Sequence, residues 1–257
     1  MGLFIAAFIA TLITAAIFLI FCIHLMNGKK SFYVFLVIGL PLSPLVNLCI
    51  KKPVFGYLLA TFNLQESPKK WPLWFGLIVL IIVGVTEELI KVLPLVFKRF
   101  NALVTDKKNA FSIASFLGLG FGIGEIWYLA WSIHIKDPKI AALPFYMLSG
   151  FTSERALAVL SHIVFLMFPL FGLLEGTRGF TLGLSIGILL HSVFDTIAML
   201  YQMDIISVGI ASILLIAESI IVGSLFIRFF DKANIEMVGT PGISKNARTL
   251  YEKKQDR

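Results

Sequence analysis

Nine ionisable side chains sit inside stretches of sequence that are otherwise apolar: Glu87, Glu88, Lys91, Glu125, Glu154, Arg155, His162, His191 and Asp195. At the centre of a bilayer such a group is costly unless paired or hydrated, so each marks a candidate functional site. Carboxylates and imidazoles in one cavity can activate water by general acid–base chemistry, with a protonated carboxyl beside an ionised one. Glu and His are also the ligands of a hydrolytic metal ion such as zinc, for which Glu88, Glu125, His162 and His191 are the candidates.

Helical spacing brings these groups together. Glu87 and Lys91 are four apart and share a face, which suits an ion pair; Glu88 and Lys91 are three apart. His191 and Asp195 repeat the four-residue spacing, as do Phe121 and Glu125, while Glu154 and His162 lie two turns apart on nearly one face. Four successive apolar segments each contribute polar groups to a shared cavity. Five potential anions meet only two cations, Lys91 and Arg155. A dry cavity does not hold three uncompensated charges, so some carboxyls carry protons, some histidines carry charge, or a cation binds.

Blander readings apply elsewhere. Glu218 has no evident partner and reads as structural, and His24 and His134 fall near helix ends as interfacial groups. Cys22 and Cys49 lack metal-ligand spacing and read as packing groups. Gly118, Gly120, Gly122 and Gly124 form small-residue ridges that admit close helix approach. Ser161 precedes His162, but helix geometry turns the two apart; neither a Gly-x-Ser-x-Gly elbow nor an HExxH zinc signature is present.

The elements that must position these residues are membrane helices. Hydrophobic residues make up 58% of 257 and charged residues 14%, too few to cover a soluble surface. Mean hydropathy is +0.91. Seven apolar segments can be drawn: 3–26, 32–50, 73–97, 111–133, 154–174, 180–201 and 205–229, with 145–151 a shorter re-entrant or interfacial piece. The expected fold is an all-α polytopic bundle of about seven or eight spans over residues 1–229. Its catalytic core covers about 73–201, and an exposed basic cytosolic tail follows over 230–257. The net charge of +7 belongs to loops and tail, where it orients the chain and meets anionic lipid; it does not point to nucleic acid. Fourteen basic residues fall on the side of the C-terminus against six opposite, Lys51 and Lys52 among the six. This predicts an N-terminus outside and a C-terminus in the cytosol, with the cell membrane as the expected location.

Glu87-Glu88-Leu89-Ile90-Lys91 resembles an EExxK motif, Phe121 to Glu125 an FxxxE motif and His191 to Asp195 an HxxxD motif. In this order on successive helices they resemble the PrsW-type intramembrane peptidases. Those belong to the superfamily of CAAX prenyl-protein endopeptidases and bacteriocin-processing enzymes. The stretch from Glu154-Arg155 to His162, with the glycine-rich segment before it, also looks like the YhfC-type branch. The resemblance covers residues 84–195, nearly half the chain. It implies that a carboxylate of the Glu87-Glu88 pair activates water and that Glu125 and His162 hold that water or a metal. It also implies that His191 and Asp195 polarise the scissile carbonyl or stabilise the oxyanion. Two departures are visible: the CAAX enzymes carry EExxxR and FxxxH, whereas Lys91 comes one position earlier and Glu125 stands in place of the histidine.

The expected function is therefore an intramembrane endopeptidase acting on membrane-embedded or lipidated protein substrates in the lipid bilayer. Glu87, Glu88, Glu125, His162, His191 and Asp195 are expected to be catalytic, with Lys91, Glu154 and Arg155 supporting. The competing expectations are a proton- or cation-coupled transporter and a non-catalytic scaffold or immunity-type protein. Inverted repeats and paired broken helices, which a transporter would favour, are not evident.

Overall fold

In a computed structural model, which describes residues 1–26 and 32–238, helices follow one another with no strand among the described residues. The chain opens with α1 (Gly2–Met26), α2 (Tyr33–Leu45), a π-helical turn (Val46–Lys51) and α3 (Lys52–Thr61). Next come α4 (Leu73–Val92) and the short α5 (Lys98–Asn101). Then follow α6 (Lys107–Lys136), α7 (Pro138–Ala142), α8 (Ser149–Leu173), α9 (Thr177–Gln202) and α10 (Val208–Val238). Six stretches are long and apolar enough to cross a bilayer: Tyr33–Thr61, Leu73–Val96, Lys107–Lys136, Phe145–Leu173, Thr177–Gln202 and Val208–Asn234. Gly2–Phe18 is a shorter apolar helix within α1. Exposed Ile81, Leu182, Ile213 and Ile220 stud the outer faces, as lipid-facing positions require. The chain is an all-α membrane protein.

Burial singles out α6 as the central pillar. Its most apolar window is 72% buried, against 17% for α9 and 22% for α10. Its N-terminus is capped by Asp106, whose carboxylate accepts the Asn109 N–H at 2.8 Å. The glycines explain how α6 enters the centre. Gly118 and Gly122 face α8, where an added Cβ would lie 2.7 Å from Ile163 Cα and 2.7 Å from Val159 Cγ2. Gly120 and Gly124 face α2, where it would run into the Leu36 and Leu40 carbonyls. Two four-residue glycine ridges, offset by two positions, thus let α6 lie against two helices at once.

Prolines sharpen two of these contacts. Pro44 has no N–H to offer the Leu40 carbonyl one turn earlier, and Gly124 packs against that carbonyl. Pro169 does the same to the Phe165 carbonyl, and a Cβ on Gly187 of α9 would stand 3.1 Å from it. Gly84 of α4 meets Ser192 and the Ile188 carbonyl of α9, and Ser192 Oγ donates to the Leu80 carbonyl at 3.3 Å.

Three expected boundaries shift. The second apolar segment does not stop at Ile50: it continues through the π turn into α3, so Lys51 and Lys52 lie within a helix and not in an outer loop. Residues 145–151 are neither re-entrant nor separate, because a 3-10 turn at Phe145–Leu148 runs straight into α8. The expected tail at 230 begins as helix, since α10 extends to Val238, and residues 239–257 lie outside the described residues, as do the side chains of Cys22 and His24. Cys49 is exposed on the π turn and is no core packing group.

Candidate active site

Helices α4, α6, α8 and α9 and the π turn carry their polar side chains to one buried region. Glu88 and Lys91, one turn apart on α4, are fully buried and form an ion pair. Lys91 also donates to His162 Nδ1 at 3.3 Å, and its ammonium lies 5.2 Å from the centre of the Phe121 ring. Phe121 in turn meets the His162 ring edge-on at 4.9 Å. Phe121 therefore gives the cation an aromatic wall and holds the imidazole upright.

The two histidines divide their nitrogens. His162 accepts at Nδ1, so its Nε2 carries the hydrogen and donates to Glu125 Oε2 at 3.0 Å. His191 lies 2.7 Å from Glu88 Oε1 through Nδ1, which donates to that carboxylate. Its Nε2 then faces Glu87 Oε2 at 3.5 Å and Asp195 Oδ2 at 3.4 Å. Beyond His162, Arg155 bridges Glu125, at 3.1 Å, and Glu154. The charges form one chain of contacts from Glu154 through Arg155, Glu125, His162 and Lys91 to Glu88 and His191.

Glu87 stands at the other end and pairs with Lys51 of the π turn. This differs from the expected Glu87–Lys91 pair. One residue along α4 turns a side chain by about 100°, so Glu87 faces the π turn while Glu88 sits beside Lys91 and reaches His191 of α9. Lys51 is the member of the buried cluster that helical periodicity misses. In an α-helix Val46 and Lys51 would point about 140° apart. The π turn closes i to i+5 and puts both on one buried face, leaving Cys49 and Ile50 exposed. The resumption of apolar sequence after Pro53 is the signal that a helix passes through this point.

A cavity of ≈ 50 Å³ adjoins the cluster, room for a few water molecules. Glu125, His162, His191 and Asp195 line it, and so do Ser161 and Glu218. Glu218 of α10 is thus no isolated structural group, and Ser161 is not turned away from the chamber that His162 faces. His134 lies tilted against Phe4 instead, with ring centres 5.3 Å apart, far along α6 from the site.

Two buried carboxylate oxygens, Glu87 Oε2 and Glu88 Oε2, make no hydrogen bond among the described residues. Glu87, His162 and His191 each bring a ligand atom within 4.8 Å of the others, a donor set that suits a divalent ion once His162 gives up its hydrogen bond with Lys91 or with Glu125. That set holds His162 and His191 of the four expected ligands together with Glu87. Glu88 Oε1 is taken by Lys91 and His191 while its Oε2 makes no hydrogen bond, and Glu125 Oε2 is taken by Arg155 and His162.

Fold and site together define a helical membrane protein with a buried chamber of carboxylates and imidazoles. No family model matches this chain, and no curated protein or solved structure matches it.

Proposed function

We propose that this chain is an intramembrane endopeptidase that hydrolyses peptide bonds of membrane-embedded or lipidated proteins. One observation carries the reading: Glu87 Oε2, buried and without a hydrogen bond, faces His191 Nε2 at 3.5 Å beside a polar cavity. A water molecule hydrogen-bonded to both atoms from the open side gives its proton to Glu87 while its oxygen attacks the scissile carbonyl carbon. The carbonyl π bond opens to a tetrahedral oxyanion. Glu87 then returns the proton to the amide nitrogen as the C–N bond breaks, leaving a carboxylic acid and an amine. Glu88 and Asp195 hold His191 in orientation, and its Nε2–H faces the developing charge. A divalent ion, held by Glu87, His162 and His191, would supply Lewis-acid polarisation of the carbonyl.

A second cavity, apolar and ≈ 250 Å³, supports the substrate class. It lies between α1, α8 and α10, and Leu157 lines both it and the polar cavity. An acyl or prenyl chain, or the apolar side chains of a membrane segment, fits there beside the chamber. The proposed orientation keeps the N-terminus outside and the C-terminus in the cytosol of the cell membrane, following the basic residues, and takes the 25-residue α1 as a seventh crossing beside the six.

The test is cleavage of membrane-protein and lipidated-peptide substrates by the purified chain reconstituted in bilayers, beside Glu87→Gln. The expected result is cleavage by the wild type and none by the variant, with equal melting temperatures. Cleavage by both at one rate overturns the proposal, and Glu87-dependent ion flux without cleavage would replace it with a transporter.

A further inference from the structure

Lys51 places a buried ammonium against the same carboxylate that the donor set needs. Six carboxylates belong to the chamber and its rim: Glu87, Glu88, Glu125, Glu154, Asp195 and Glu218. Lys91 is engaged with Glu88, and Arg155 with Glu125 and Glu154. Lys51 alone among the described lysines and arginines pairs with Glu87, and its charge also acts on Glu125 and Asp195. Glu87 is shared, so a divalent ion held with His162 and His191 would stand within a few ångströms of that ammonium. Like charges so close in a buried site repel strongly.

We propose that Lys51 is the resident cation of this chamber and competes with a divalent ion for Glu87. Its ammonium neutralises the carboxylate that would otherwise anchor the ion, and the π turn delivers it there. The inference takes the buried cluster to be the reaction chamber and so rests on the reading above. Its test measures cation binding and not cleavage, which separates the failure of one from the failure of the other.

The experiment is titration of the full chain in lipid nanodiscs with Co²⁺, followed by calorimetry and by the visible absorption of the bound ion. Lys51→Met is expected to bind Co²⁺ at least tenfold more tightly than the wild type, and Glu87→Gln in that background to abolish the gain. Lys52→Met, which removes an equal charge from the exposed neighbour, is expected to match the wild type. Lys51→Gln keeps a polar head and serves if the methionine variant does not fold. Equal or weaker binding by the Lys51 variants, no binding by any protein, or a gain that survives Glu87→Gln overturns the proposal. A gain without peptide cleavage leaves it standing and removes the peptidase reading.

Discussion

Glu88 and His191 lie 103 residues apart in the chain and meet at 2.7 Å through His191 Nδ1. Because Glu88 also takes the Lys91 ammonium, one carboxylate fixes both a cation and an imidazole. The other nitrogen of His191, Nε2, is thereby aimed at Glu87 and Asp195.

His191→Asn retains an amide donor near Nδ1 and deletes Nε2. Cleavage should fall by a factor of about 10² to 10⁴, the usual range for a lost acid–base group, with little change in thermal unfolding. His191→Gln, which reaches the Nε2 position, should keep more activity than the asparagine variant. Equal rates in both would deny Nε2 its role.

Glu88 and Lys91 form a pair with no exposure at all. Removing one partner leaves an unpaired buried charge, so Glu88→Leu or Lys91→Met alone should cost about 3–5 kcal/mol. The double variant should recover much of that stability while losing the orientation of His191. Chemical denaturation in detergent reads the stability cycle, and cleavage reads the orientation.

The glycine ridges make a steric forecast. Gly122→Leu forces atoms into Val159, and Gly124→Leu into the Leu40 carbonyl. Each should destabilise by at least about 1–3 kcal/mol, the cost of overpacking a close-packed interface. Gly223→Ala meets nothing within 4 Å and should be neutral in the same thermal assay.

Outside the spans, Lys69 donates to Asp204 at 2.8 Å, and that hydrogen bond holds its ammonium above the ordinary lysine value of 10.5. A raised lysine contributes fully below its unfolded value and loses the contribution as pH rises through its folded one. Both groups are well exposed, so the contribution is small. Lys69→Met and the wild type should differ by the same small amount at pH 6 and pH 9, and converge only in strong alkali.

The polar residues of α4, α6, α8 and α9 were legible in the sequence because charges in apolar runs stand out whatever the fold. Their convergence followed from number and spacing. The pairing of Lys91 did not: three- and four-residue spacings both suit an ion pair, and His162 and His191 decide it from other helices. Glu218 looked solitary because its surroundings come from α8 and α9. Lys51 was hidden for a different reason, since a reading at 3.6 residues per turn turns it away from the face that the π turn gives it.

That wide turn also has a consequence for the chain's length. Deleting one residue among Asn47, Leu48, Cys49 and Ile50 would leave Lys51 four positions after Val46, the spacing at which an ordinary helix returns to the same face. Everything downstream would keep its register. A one-codon deletion within Tyr33–Leu45 would swing one part of the helix against the other by about 100° and carry Lys51 or the Gly120–Gly124 contact out of place. Within this span, the π turn is where the gene can lose a codon and the protein keep its shape.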